Sequence, residues 1–118
     1  MSGAAHRRIE DLAWRRGDVL SRLGRFEDAT LAYREAIEER PHDARPFVSL
    51  VTHYRATQND VEAAVTVDAL MRAVPTAAGY AQAARLWQAL GDKERADAVR
   101  AAARERFGPE PAARPPAR

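Results

Sequence analysis

The chain has 118 residues, 46% of them hydrophobic, enough for one ordinary domain whose core requires neither disulfides nor a structural metal. It contains no cysteine, which excludes a disulfide framework, a thiolate metal site and a cysteine nucleophile. Basic and acidic side chains number nineteen and seventeen and alternate along the chain, with eight of each over residues 1–40, nine against eight over 41–108 and two against one in the tail. No segment has the basic cluster expected of a phosphate-backbone binder, and nucleic acid is not an expected partner.

In chain order, residues 1–7 are expected to be disordered, although "HRRIEDLAW" is able to extend a helix backwards. A first helix is predicted over 8–23, with Ala13, Gly17 and Leu20 on one face, and Gly24 turns the chain into a second helix over 26–39 bearing Ala29, Tyr33 and Ala36. Pro41 ends it. Asp43 is the expected cap of a third helix over 43–57, with Phe47, Leu50, Val51 and Tyr54 as its apolar face. Gln58 stands at the next turn, and "NDVE" (Asn59 to Glu62) reads as a capping box opening a fourth helix over 60–73, with Ala63, Val67 and Leu70 inward. After Pro75 a fifth helix is predicted over 76–90 with Tyr80, Ala83, Ala84 and Trp87. Gly91 then leads to a sixth over 92–107 with Ala96 and Ala103. The final stretch, 109–118, holds four prolines in ten residues and is expected to be a disordered Pro/Ala/Arg-rich tail.

These elements repeat. A shift of 34 residues lays Leu20 on Tyr54, Ala29 on Ala63, Tyr33 on Val67, Ala36 on Leu70 and Pro41 on Pro75. A further shift of 33 lays Phe47 on Tyr80, Tyr54 on Trp87, Ala63 on Ala96 and Pro75 on Gly108. The spaced glycine, aromatic, alanine and proline pattern resembles the tetratricopeptide repeat (TPR) family. The resemblance implies an all-α, right-handed solenoid of three helix-turn-helix repeats with six helices. The domain would span 8–108, with repeats at about 10–43, 44–76 and 77–108. The departures are Ala13 and Arg16 in the first copy, Val51 and Gln58 in the second, and Gly108 in the third. Ala29, Ala63 and Ala96 are expected at close helix crossings. Leu31 and Ile37, then Val65 and Met71, are expected to face the next hairpin, and Ala98 and Arg104 turn that face polar at the end of the array.

The candidate catalytic groups are scattered along the sequence. His6, His42 and His53 fall in a terminus, a loop and the middle of a helix, and neither a glycine-rich phosphate loop nor a nucleophile elbow is present, so no enzyme, metal or cofactor is expected. No apolar run approaches the roughly 18 residues of a membrane span, and a cytoplasmic protein without membrane contact is expected. Eighteen of the nineteen basic residues are arginine, the bias of a GC-rich, bacterial genome.

What remains is a surface. The resemblance implies a concave groove lined by the first helix of each hairpin, carrying Asp11, Trp14, Asp18 and Ser21, then Arg45, Val48, Thr52 and Arg55, then Ala78, Ala81, Arg85 and Gln88. Trp14 either anchors a peptide or packs against Val48. Arg45, Arg55 and Arg85 either form a strip for an acidic ligand or serve solubility. The lysine and asparagine clamp of the heat-shock cochaperones is absent, because the corresponding places hold Trp14, Asp18, Ser49, Ala78 and Gln82. The function expected is a non-catalytic adaptor that binds a peptide or protein segment, as a monomer or weak homo-oligomer. The alternatives are an oligomerising or domain-supporting module, or the regulatory part of a larger enzyme.

Overall fold

The computed structural model describes residues 3–109, with side chains from Ala13 onward. Six helices follow one another, and no strand occurs among the described residues: α1 Gly3–Arg22, α2 Phe26–Glu39, α3 Ala44–Ala56, α4 Asp60–Ala73, α5 Ala77–Ala89 and α6 Lys93–Phe107. Of the segments expected to be disordered, residues 1–2 and 110–118 lie outside the described range. α1 begins at Gly3 rather than at residue 8, the backward extension that "HRRIEDLAW" permits.

The turns show why the helices stop where they do. Gly24 and Gly91 adopt φ of 80° and 84°, a left-handed conformation that glycine reaches without steric cost. Gln58 takes the same role at φ 62°, a geometry that costs a residue with a Cβ roughly 1–2 kcal/mol. Asp43, Thr76 and Asp92 cap the helices that follow them, accepting from the backbone N–H of Arg45, Gly79 and Arg95. The expected capping box at Asn59 does not form. Its side chain makes no cap bond to α4, and its amide donates to the Thr57 hydroxyl instead, at 3.0 Å.

Every helix packs on the next, and α3 also packs on α1 and on α5, whereas α2, α4 and α6 make no contact with one another. The odd-numbered helices are therefore drawn together in one layer while the even-numbered ones fan apart behind it. Size alternation permits the close approach. Ala29, Ala63 and Ala96 are completely buried, and a methyl group added at Gly17 would sit 2.6 Å from the Tyr33 ring. Tyr33, Val67 and Leu70, with Phe47, Leu50, Tyr54 and Trp87, fill the space between the layers.

One expected face is displaced around the helix. Leu31 and Val65 are 64% and 54% exposed, so they do not face the next hairpin. α2 reaches it instead through Phe26 and Thr30, both bonded to His53, and Arg34, which donates to the Tyr54 hydroxyl at 3.1 Å. Ile37 and Met71 do pack against the core, as expected, while Ala98 and Arg104 at the end of the chain are exposed. At the opposite end Arg16 lies on the surface and pairs with Glu35 at 2.9 Å, each about half exposed. Beside it Val19 is 49% exposed, whereas His53 and Leu86, at shifts of 34 and then 33 residues from it, are buried.

Candidate functional site

The layer formed by α1, α3 and α5 carries a cleft of about 340 Å³ between α1 and α3. Asp18, Ser21 and Arg22 enter it from α1, and Val48, Ser49, Thr52 and Ala56 from α3, because residues three and four apart share one helical face. Tyr33 and His53 lie in its floor. Asp18, Ser21, Val48 and Thr52 from the predicted groove are thus brought together around one space.

The polar groups of the cleft are ordered from beneath. The Tyr33 hydroxyl donates to Asp18 Oδ1 at 2.6 Å. Burial, and then the hydrogen bond to the Asp18 carboxylate, hold the Tyr33 phenol above its ordinary range, so it remains a neutral donor. His53, only 3% exposed, places Nε2 at 3.1 Å from the Phe26 carbonyl and at 3.2 Å from Thr30 Oγ1. A carbonyl only accepts, so Nε2 carries the proton, and Nδ1, at 2.9 Å from Ser21 Oγ, accepts the serine hydroxyl. Burial lowers the His53 pKa and favours this neutral form. The rings of Phe26, Tyr33 and Tyr54 surround it at 5.7–6.0 Å between centroids.

A serine bonded to an imidazole is also the opening of a nucleophilic pair, but the remaining parts of such a site do not converge here. The carboxylate nearest in the cleft, Asp18, is engaged by Tyr33 rather than by the imidazole. The other imidazole nitrogen is spent on the Phe26 carbonyl, at the start of α2. The Ser21, His53 and Phe26 chain ties α1, α3 and α2 together. Among the described residues no group of three His, Cys, Asp or Glu side chains is placed to hold a metal ion.

The other predicted groove residues lie at differing depths. Trp14 is half-buried against the core, its indole Nε1 is buried with no hydrogen-bond partner among the described residues, and the guanidinium groups of Arg15 and Arg45 lie over its ring at 5.6 and 5.5 Å. Arg45 is further held by Asp43 at 2.7 Å, an interaction that keeps the Asp43 carboxyl below its usual range. Val48 packs against the core along with Trp14. Ala78, Ala81, Arg55 and Arg85 are exposed, and Gln88 is exposed but accepts from Arg100 at 2.8 Å. The Asp11 side chain lies outside the described residues. Sequence reasoning did not single out Arg22 or the half-buried Tyr33–Asp18 and Ser21–His53 bonds. The last pair was nonetheless signalled by a histidine at a repeat position that Leu86 occupies in the third copy.

No protein-family model matches this chain, and no curated protein matches it. No helix among the described residues is long and apolar enough to cross a membrane.

Proposed function

We propose that this chain is a non-catalytic protein-interaction module of the tetratricopeptide type, a right-handed solenoid of three repeats that holds an extended peptide or protein segment against α1, α3 and α5. The reading also takes the protein as cytoplasmic and monomeric or weakly self-associating. The observation that carries it is the cleft, in which Asp18, Ser21, Val48 and Thr52 from two helices converge on one space beside a rigid floor. Side chains held on packed helices bind with little ordering cost, which is what a peptide receptor requires. The pairwise register of the repeats, and the contact of α3 with α1 and α5 but not of α2 with α4, support the curvature that such a groove needs.

The test uses peptides selected against the protein by display without bias in charge. Thr52 is exposed at the cleft, so Thr52→Trp fills it without disturbing the core. The selected peptides are expected to bind with Kd on the order of micromolar, as befits a small footprint, and to lose roughly tenfold or more in affinity to Thr52→Trp. Circular dichroism and thermal midpoint should be unchanged. Undiminished binding by the folded variant would place the function elsewhere.

A further inference from the structure

Building on the reading of the odd-numbered layer as a peptide receptor, we propose that its ligand is an acidic linear segment, whose carboxylates are met by Arg22, Arg55 and Arg85. The observation behind it is a contrast of charge between α3 and α5 and the helices α2 and α4 that pack behind them. α3 and α5 contain no carboxylate at all, and their charged side chains are Arg45, Arg55 and Arg85. Behind them α2 carries Glu27, Asp28, Glu35, Glu38 and Glu39 against Arg34, and α4 carries Asp60, Glu62 and Asp68 against Arg72. α2 and α4 thus carry an excess of negative charge while α3 and α5 carry only positive charge; α1 is mixed, with five arginines against Glu10, Asp11 and Asp18. α6 is mixed, with five basic against three acidic residues; Lys93 and Arg100 pair with Asp97 within it, and Arg95 pairs with the cap Asp92.

The arginines differ in what they have already bound. Arg45 is held by Asp43 and lies over Trp14, which withdraws it from the strip expected from the sequence. Arg55 and Arg85 are exposed and make no hydrogen bond or ion pair among the described residues. The same is true of Arg22 at the rim of the cleft, which takes Arg45's place. The single carboxylate in the cleft, Asp18, already accepts from Tyr33. A guanidinium with no internal partner offers its planar fork to a carboxylate in bidentate fashion, and several on one face steer an acidic chain towards it. A nucleic acid fits less well. Its continuous phosphate backbone needs a broad positive surface, and the carboxylates of α2 and α4 on the opposite side would repel any strand that extended past the groove.

The probe is a fluorescein-labelled, glutamate-rich decapeptide, with a glutamine-for-glutamate analogue and a labelled oligothymidylate of equal length alongside. Anisotropy is read at about 50 and about 300 mM NaCl. The acidic peptide should bind roughly tenfold more tightly than its glutamine analogue at low salt, an advantage that fades at high salt. Arg55→Glu/Arg85→Glu should weaken it by roughly tenfold or more. Arg72→Glu/Arg104→Glu makes the same change in net charge away from the groove and should cost less than about twofold. All four positions are exposed, so both double variants should keep full helicity. Equal losses in the two double variants would reduce the effect to overall charge and overturn the proposal. So would failure of the acidic peptide to bind, or tighter binding of the oligothymidylate through the same arginines. If display-selected peptides still lose affinity to Thr52→Trp while the acidic peptide does not bind, the receptor reading stands and only the ligand class falls. If the acidic peptide binds but ignores both Thr52→Trp and the groove double variant, both fall.

Discussion

Ala63→Glu is expected to unfold most of the domain, whereas Ala98→Glu leaves the thermal midpoint almost unchanged. Ala63 sits on α4 with no solvent exposure, within the cluster that contains Tyr54, Val67 and Leu70. A glutamate there either places an unpaired carboxylate in apolar surroundings or pushes the packed helices apart. Each outcome costs several kcal/mol, a large share of the roughly 5–15 kcal/mol that holds a small domain together. Ala98 lies exposed on α6, and surface substitutions of this kind usually stay within about 0.5 kcal/mol. Thermal melts followed by circular dichroism decide the matter. Similar, mild effects at both positions would show that the close crossings are misplaced.

The second large effect concerns His53 and pH. Its folded pKa lies below the ordinary value near 6.5 because burial disfavours the imidazolium. The unfolded chain therefore binds more protons in that window, and stability rises with pH through it. The contribution is full above the ordinary histidine pKa and is lost as pH falls from there towards the lower folded value. Asp43 and Asp97 act separately, in a more acidic window. Hydrogen bonds from Arg45 and Lys93 respectively lower their pKa values, so their stabilisation is present above the ordinary carboxylate pKa and is lost as pH falls below it. His53→Leu should flatten the first step and leave the second in place. At pH of about 7.5 it should also destabilise by roughly 1–2 kcal/mol, because the Phe26 carbonyl loses the Nε2–H and the Ser21 hydroxyl its acceptor, partly offset by apolar burial. Denaturant titrations across pH for both proteins measure this, and an unchanged first step in the variant would assign it to another group.

The helices were legible because small residues, turns and stops recur at a fixed period, and the periodic pattern locates both faces and ends. α2 and α4 fall where the sequence puts them, at 26–39 and 60–73. The predicted 43–57, 76–90 and 92–107 exceed the observed helices only by residues that serve as caps, Asp43, Thr57, Thr76, Leu90 and Asp92. The face of a helix is harder to fix than its ends, since one residue is a rotation of about 100°. Leu31 was expected against the next hairpin, where Thr30 and Arg34 actually reach.

The site was legible only in part. The resemblance implies one groove with Asp18, Ser21, Val48 and Thr52 along it, and these four line one cleft. Arg45 looked like Arg55 and Arg85 in the sequence, and its engagement by Asp43 and Trp14 depends on local geometry that spacing does not encode. The charge contrast is hidden when charges are summed along the chain, because such a sum mixes neighbouring helices of opposite character. Summed helix by helix, the contrast between α2 and α3 is visible in the sequence itself. The Ser21–His53 bond joins residues 32 apart, a pairing fixed by the way two hairpins dock.

The central claim is that the layer of α1, α3 and α5 is the surface that binds. Its most direct test is a titration of the isotopically labelled protein with a display-selected peptide, following backbone amide shifts residue by residue. The account predicts that the largest changes cluster at Asp18, Ser21 and Arg22, at Ser49, Thr52 and Arg55, and at Arg85, with α2 and α4 nearly still. Shifts concentrated instead around Leu31, Val61 and Val65, three of the exposed apolar residues of the even layer, would contradict it.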